Sequence, residues 1–333
     1  MNSLVIALNV LKRLSKQTTL IVFLLVFPLI AATLGMIMGA QPEVLEVGIV
    51  LDSTITDVYE AFLPLEEYNF VPVTSEELTA GIADDTLAMG IKATSDGDYI
   101  YEIVSKSGGD AVNSLKNQLL YFNENGSVYS ITNHDSSRAS TMAIGMYLLF
   151  MIMFVGNCSL ILLDDRRERT YMRLFCLPIS TVTIVAGYMI ALFIAGTLQI
   201  VWFLFLLTIV LKVDLAVSLI TLLLLLTAFL ITTIGLAIGL TSLIISKEKY
   251  NVALPVIALF TTFLSGSLIP IDIFGQGIKY ISYLVPQRWV VNAMELIRAG
   301  GDFKTILPNI GVLLLFALVF FTFGTKVLNK ETL

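Results

Sequence analysis

The sequence predicts an all-α membrane domain of six transmembrane helices plus a re-entrant helical hairpin, with an inserted extracellular α+β domain. Three observations lead there. Apolar residues make up 56% of the 333 positions and mean hydropathy is +0.86, well above ordinary globular domains. Six stretches, at about 18–39, 140–163, 181–211, 215–245, 251–269 and 305–325, contain no Asp, Glu, Lys or Arg, and a helix needs roughly 20 mostly apolar residues to cross a bilayer. Between the first and second of these, residues 40–139 hold 17 acidic residues against Lys92, Lys106, Lys116 and Arg138.

The elements follow in chain order. Residues 1–17 carry Leu4, Val5, Leu8, Leu11 and Leu14 at helical spacing, with Lys12, Arg13 and Lys16 off that stripe. This pattern predicts an amphipathic elbow helix lying in the inner leaflet; a frayed basic tail is the alternative. The first span follows. Phe27-Pro28 interrupts its apolar run and no small-residue cleavage pattern follows, so a retained span is expected rather than a signal peptide.

In the polar insert, strand-like runs occur at 46–51, 68–73, 87–92 and 98–104. Ser75 reads as the N-cap of a short helix to Ile82, and a longer helix is expected over 110–122. A β-α-β-β-α order predicts a small α+β domain. Its acids lack the number and spacing of calcium ligands, so a solvated acidic surface is expected. His134, the only histidine, falls in a polar return linker, and Asn125-Gly126-Ser127 reads as a turn or a glycosylation acceptor.

The third stretch, at 31 residues, would be about 46 Å long and must tilt or begin in the interface. Beyond the second stretch, residues 164–180 form a charged segment, Asp164-Asp165-Arg166-Arg167-Glu168-Arg169-Thr170-Tyr171-Met172-Arg173-Leu174 running to Pro178. A short helix there can carry force from a soluble motor into the spans; its arginines also serve as positive-inside anchors. Ser246–Tyr250 reads as a connecting loop. Gly235 and Gly239 let the fourth helix approach a neighbour closely, with packing inside one subunit favoured over a dimer seam.

After the fifth stretch, two segments too short to cross, about 272–284 and 288–299, are bounded by Pro270 and Pro286. Proline breaks both junctions, which predicts a hairpin dipping into the outer leaflet where protein buries its turn. Lys/Arg asymmetry sets orientation. Eleven basic residues flank the ends shared by the two termini and the 164–180 and 246–250 loops, against five on the opposite side without the insert. Both termini are therefore expected inside and residues 40–139 outside.

Several functions are excluded. The acidic insert disfavours nucleic acid. The six stretches offer no ionisable residue for a proton pathway, which disfavours a stand-alone secondary transporter. The chain contains no Gly-Lys pair and so no P-loop. Cys158 lies in an apolar span and Cys176 beside basic residues, so a disulfide is not expected. No metal or cofactor site is expected on this chain.

The pieces together resemble the permease subunit of ABC-2 type exporters over essentially the whole chain. Arg167-Glu168-Arg169-Thr170, Arg173-Leu174 and Leu177-Pro178-Ile179-Ser180 resemble the family's coupling stretch. Ser265-Gly266, Pro270, Ile278, Ile281, Pro286 and Arg298 resemble its late signature. Val47-Gly48-Ile49-Val50-Leu51-Asp52 resembles the first strand of the branch with a larger insert. The resemblance implies ATPase coupling through Arg167, Glu168, Thr170, Arg173, Leu174 and Pro178, and a re-entrant hairpin marked by Gly266, Pro270, Pro286 and Arg298. It also implies two copies of an ATP-binding subunit carrying ATP and Mg, a second permease that is identical or homologous, and a bacterial cytoplasmic membrane. The cargo implied is lipid-like or an amphipathic peptide or antibiotic. A reading of a different class is a sensor or immunity protein whose insert binds an extracellular peptide without transport.

Overall fold

A computed structural model describes residues 3–39, 45–50, 68–84, 87, 89–93, 101–104, 133–167, 181–213, 215, 217–268, 271, 276–298 and 302–330. The chain divides into two compact units, one of Met1–Ala40 with Ser136–Leu333, the other of Gln41–Asp135.

The first unit is helical. α1 spans Ser3–Leu14 and α2 spans Thr18–Gly39 with Pro28 inside it. The face α1 buries is Ile6, Ala7, Val10 and Leu14, while Leu4, Val5 and Leu8 stay exposed. The helix is thus apolar on two sides, one seated on protein and the other bare; the single stripe expected from the sequence mixed the two. α4 runs Asn133–Arg167. It starts well before residue 140 and takes His134 into the helix, because the apolar run marks where a helix becomes hydrophobic rather than where it begins. α5 spans Thr181–Phe205 and continues as a π turn, Leu206–Val210, that ends beside Lys212 at φ 50°.

α6 spans Leu219–Leu243, opened by Ser218, whose hydroxyl accepts the Thr221 N–H. α7 spans Lys247–Leu264. Two short helices follow, α8 at Gln276–Ser282 and α9 at Pro286–Arg298, where proline takes the first helical position, in which a missing N–H does no harm. α10, Phe303–Lys330, closes the unit. α6 and α10 pack together: Thr232 donates to the Leu313 carbonyl at 2.7 Å and Gly235 faces the α10 backbone at Ala317. The G-x-x-x-G pair therefore works inside the subunit.

Among the described residues, five segments are long and apolar enough to cross a membrane: Thr18–Ile37, Ser140–Arg167, Val182–Val210, Leu219–Leu243 and Phe303–Val327. The predicted fifth span, 251–269, is helical only to Leu264, and α7 opens on Lys247, Glu248 and Lys249. Its remaining apolar part, about 22 Å at 1.5 Å per residue, is shorter than a ~30 Å hydrocarbon core.

The second unit holds a four-stranded sheet of β1 (Leu45–Ile49), β2 (Tyr68–Pro72), β3 (Met89–Ala93) and β4 (Tyr101–Val104), in the order β2-β1-β3-β4. β1 runs parallel to β2 and β3, and β4 antiparallel to β3. α3, Ser75–Ala83, lies between β2 and β3 in sequence and buries Leu78 and Ile82. Its N-cap is Thr74 rather than Ser75. The Thr74 hydroxyl accepts the Glu77 N–H while the Glu77 carboxylate accepts the Thr74 N–H at 2.9 Å, a reciprocal box the sequence spells as Thr-x-x-Glu. Those bonds hold the Glu77 carboxyl below its usual range. The helix expected over 110–122 and the triplet Asn125–Ser127 lie outside the described residues.

Candidate functional site

The end of α4 gathers polar and charged contacts from four other elements. Asp165, 3% exposed, accepts two hydrogen bonds from Arg13 of α1, at 2.9 and 2.7 Å, and one from the Tyr188 hydroxyl of α5. Asp164 pairs with Lys247 of α7 at 2.9 Å. Arg166 donates to the Thr241 carbonyl near the end of α6. Arg167 lies 3.7 Å from Glu248 of α7. Consecutive residues on a helix point about 100° apart, so one turn at the end of α4 reaches neighbours on every side.

Burial separates these contacts. Asp165 has almost no water, so its carboxylate depends on the Arg13 guanidinium and the Tyr188 hydroxyl; losing a partner leaves a buried charge uncompensated. Lys247 and Asp164 are 38% and 27% exposed at their side chains, and Arg167 and Glu248 are more open still. Those pairs guide more than they stabilise. Glu248 also accepts a 2.6 Å hydrogen bond from Ser246, which, ahead of its own backbone N–H and the nearby cations, holds its carboxyl below the usual range.

Of the residues expected to couple to an ATPase, Arg167 belongs to this junction. Glu168, Thr170, Arg173, Leu174 and Pro178 lie outside the described residues, immediately beyond it. The charged segment is not a separate helix at its start: α4 runs unbroken through Arg167. The segment 246–250 is not a loop. Ser246 is the N-cap of α7, its hydroxyl accepting the Lys249 N–H, and Tyr250 completes the first turn. Tyr250 is fully buried, hydrogen-bonded to Ser159 at 2.9 Å and donating to the Gly156 carbonyl at 3.1 Å. Sequence reasoning missed Arg13, Asp164, Asp165, Tyr188, Lys247, Glu248 and Tyr250 as site residues. The available signals were an acidic pair directly after an apolar run and a capping serine ahead of alternating charges.

At the opposite end of α7, Gly266 takes φ +80°, a left-handed conformation that glycine adopts without strain. Ser265 and Ser267 donate to the Thr262 carbonyl at 2.7 and 3.1 Å, satisfying the helix end. Arg288, 3% exposed, forms a two-pronged pair with Glu295 at 3.0 and 3.1 Å and stands over the Tyr283 ring. Trp289 donates to the Tyr283 carbonyl at 3.0 Å, and Asn309 of α10 donates to the Trp289 carbonyl at 2.9 Å. Of the hairpin residues, Gly266 forms the turn, Pro286 opens α9, Arg298 ends it, and Pro270 lies outside the described residues. Arg288 and Glu295, both on the amphipathic half that the sequence shows, form the ion pair at this end.

Inside the helical unit, Gln199 of α5 and Tyr147 of α4 are fully buried, and among the described residues neither the Gln199 carboxamide nor the Tyr147 hydroxyl has a hydrogen-bond partner. Tyr147 stacks on Phe203 with ring centres 3.8 Å apart. Among the described residues no group of three or more His, Cys, Asp or Glu is placed to hold a metal ion.

Comparison with known proteins agrees with a transport role for this helical body. The chain is similar to the linearmycin resistance permease protein LnrN of Bacillus subtilis (strain 168), 25% identical over 196 residues, which is 59% of this chain and 51% of that relative. The match thus spans about half the length of the relative. No solved structure matches. The family described as ABC-2 family transporter protein matches residues 18–326. The chain is therefore a multi-pass membrane permease that belongs to the ABC-2 transporter family.

Proposed function

We propose that this chain is the membrane subunit of an exporter driven by a separate ATP-binding subunit, present in two copies, and that it works beside a second permease, identical or homologous. Nucleotide-driven closure of those subunits pushes on residues 168–178, where Glu168, Thr170, Arg173, Leu174 and Pro178 make the contact and Arg167 passes it to α4. The single observation that carries this reading is the junction at 164–167, which binds α1, α5, α6 and α7 to the helix end that leads directly into that segment.

The cargo is a lipid-like molecule or an amphipathic peptide or antibiotic. Three things support it: the apolar body, the buried Gln199 and Tyr147 that offer hydrogen bonds within it, and a relative named for linearmycin resistance. In this reading α7 is the fifth of six spans, with its charged first turn at the inner interface and the Gly266 turn at the outer one. α8 and α9 form a re-entrant hairpin, with Trp289 and Tyr283 at interfacial depth. The lipid phase is the bacterial cytoplasmic membrane, both termini are inside, α1 lies in the inner leaflet with Leu4, Val5 and Leu8 among lipid, and residues 40–139 are outside.

Two measurements test this. In the complex purified with its ATP-binding subunit, Glu168→Ala or Arg173→Ala lowers coupled ATP hydrolysis while assembly persists; normal turnover and transport in both variants contradicts the coupling role. Cysteines at positions 95 and 246 are labelled by an impermeant reagent on intact cells at the first site and not the second; the reverse pattern overturns the orientation.

A further inference from the structure

We propose that α4 and α7 form one rigid strut that carries movement of the coupling segment to the turn at Gly266, with Tyr250 and Gly145 as its positioning residues. The inference rests on the exporter reading above, which supplies the driving movement.

The contacts of α7 and the turn after it run along α4 from Arg167 to Gly145. At the charged end, Asp164 and Arg167 meet Lys247 and Glu248. Further along, Tyr250 ties Ser159 and the Gly156 carbonyl, and Leu254 packs where a side chain on Gly156 would stand. At the far end, a Cβ on Gly145 would lie 2.4 Å from the Ser267 carbonyl oxygen, so only glycine lets the helix meet that backbone. Contact positions descend on α4 as they ascend on α7, so the helices run antiparallel. From Gly145 to Arg167 the seam is about 33 Å long, a bilayer's depth.

Such a seam resists sliding. A shift of α7 along α4 would strand the Tyr250 hydroxyl in a dry interior, where an unpaired polar group is strongly disfavoured. It would also drive the Ser267 backbone into the side chains flanking Gly145. The face of α7 turned away from α4 is bare, with Val252, Val256 and Phe260 at 61–68% exposure, so among the described residues no element of this unit holds α7 back along that face. The far end then delivers the movement. A Cβ on Gly266 would lie 3.1 Å from the Ile271 side chain and 3.5 Å from the Arg288 guanidinium, so the turn sits close to both, and Arg288 is paired with Glu295 along α9.

The test uses the complex with its ATP-binding subunit, nucleotide-free and arrested with ATP and vanadate. Spin labels at Leu160 on α4 and Val252 on α7 read the seam, and environment-sensitive fluorophores at Lys249 and Tyr280 read its two ends. The strut predicts a Leu160–Val252 distance unchanged between states and a response to ATP at both ends. In Gly145→Ala the Lys249 response persists and the Tyr280 response falls at least twofold, whereas a purely structural role would change both together with the amount of folded protein. A seam distance that changes by about 2 Å or more, the scale of helix shifts in switching proteins, overturns the strut, as does an undiminished Tyr280 response in Gly145→Ala. The seam distance is read without that substitution, so a misfolded variant does not remove the test. No response to ATP at Lys249 overturns the exporter reading as well, because the strut then has no movement to carry.

Discussion

The two ends of α7 are built on opposite principles. At the Lys247 end, contact with α4 is made by charges on long side chains, two of the pairs open to water. At the Gly266 end, contact is made by backbone: a glycine turn at φ +80°, serine hydroxyls closing the helix, and the Ser267 carbonyl against Gly145. Charged pairs tolerate several geometries at small energetic differences, whereas close-packed backbone tolerates nearly none. An adaptable input joined to a rigid output is what a transmitting element requires, and the difference gives each end a distinct response to substitution.

The largest effect lies beside the charged end, at the buried Asp165, which is held by α1 and α5 rather than by α7. Arg13→Ala leaves its carboxylate in a nearly dry site with only Tyr188, and destabilisation of about 3–5 kcal/mol is expected. Thermal unfolding of the solubilised protein reads it directly, and a drop smaller than about 1 kcal/mol, the typical worth of a surface pair, would place Asp165 among the adaptable contacts. Next is Gly266→Ala, where a Cβ must adopt φ +80° and costs about 1–2 kcal/mol. An unchanged midpoint in the same assay would show that the output end is softer than its geometry implies.

Tyr250→Phe should cost roughly 1 kcal/mol, because Ser159 keeps its own bond to the Gly156 carbonyl at 2.7 Å. Lys247→Ala is expected to change stability by less than about 1 kcal/mol, yet to reduce transport per ATP hydrolysed, since it loosens the input without unfolding it. Smallest is the effect of pH. Glu248 has its carboxyl lowered by Ser246, so its contribution is present above the unfolded carboxylate range and fades as pH falls through the folded value. Spectroscopic titration of that carboxyl should show a depressed value in wild type and a less depressed one in Ser246→Ala, where the backbone N–H and the nearby cations still act; equal values would remove the hydroxyl as the leading cause.

How much of this was legible in the sequence follows from the range of each interaction. The long helices were readable because hydropathy is summed over many neighbours, and the start of α9 at Pro286 because proline fixes local geometry. The strands of the insert were readable to within a few residues for the same local reason, and the α3 cap was missed by one position because Thr74 and Ser75 can both serve. Asp165 was read as part of a charged segment, but its partner Arg13 is 152 positions away, and nothing local announces such a pair. Tyr250 looked like the end of a loop because its partners, Ser159 and Gly156, lie on another helix. The fifth span was drawn past the helix end at Leu264 because residues 265–269 carry no charge and close on Leu268-Ile269, which keeps the hydropathy signal going past the point where the backbone turns.

The central claim is that the chain has an apolar route and no engine of its own. Reconstitution into vesicles tests it most directly, with the antibiotic to which cells lacking the chain become sensitive as cargo. ATP-dependent movement of that cargo is expected only when the ATP-binding subunit is present, and none from the chain alone. Sustained accumulation against a gradient by vesicles containing this chain and no other protein contradicts the claim.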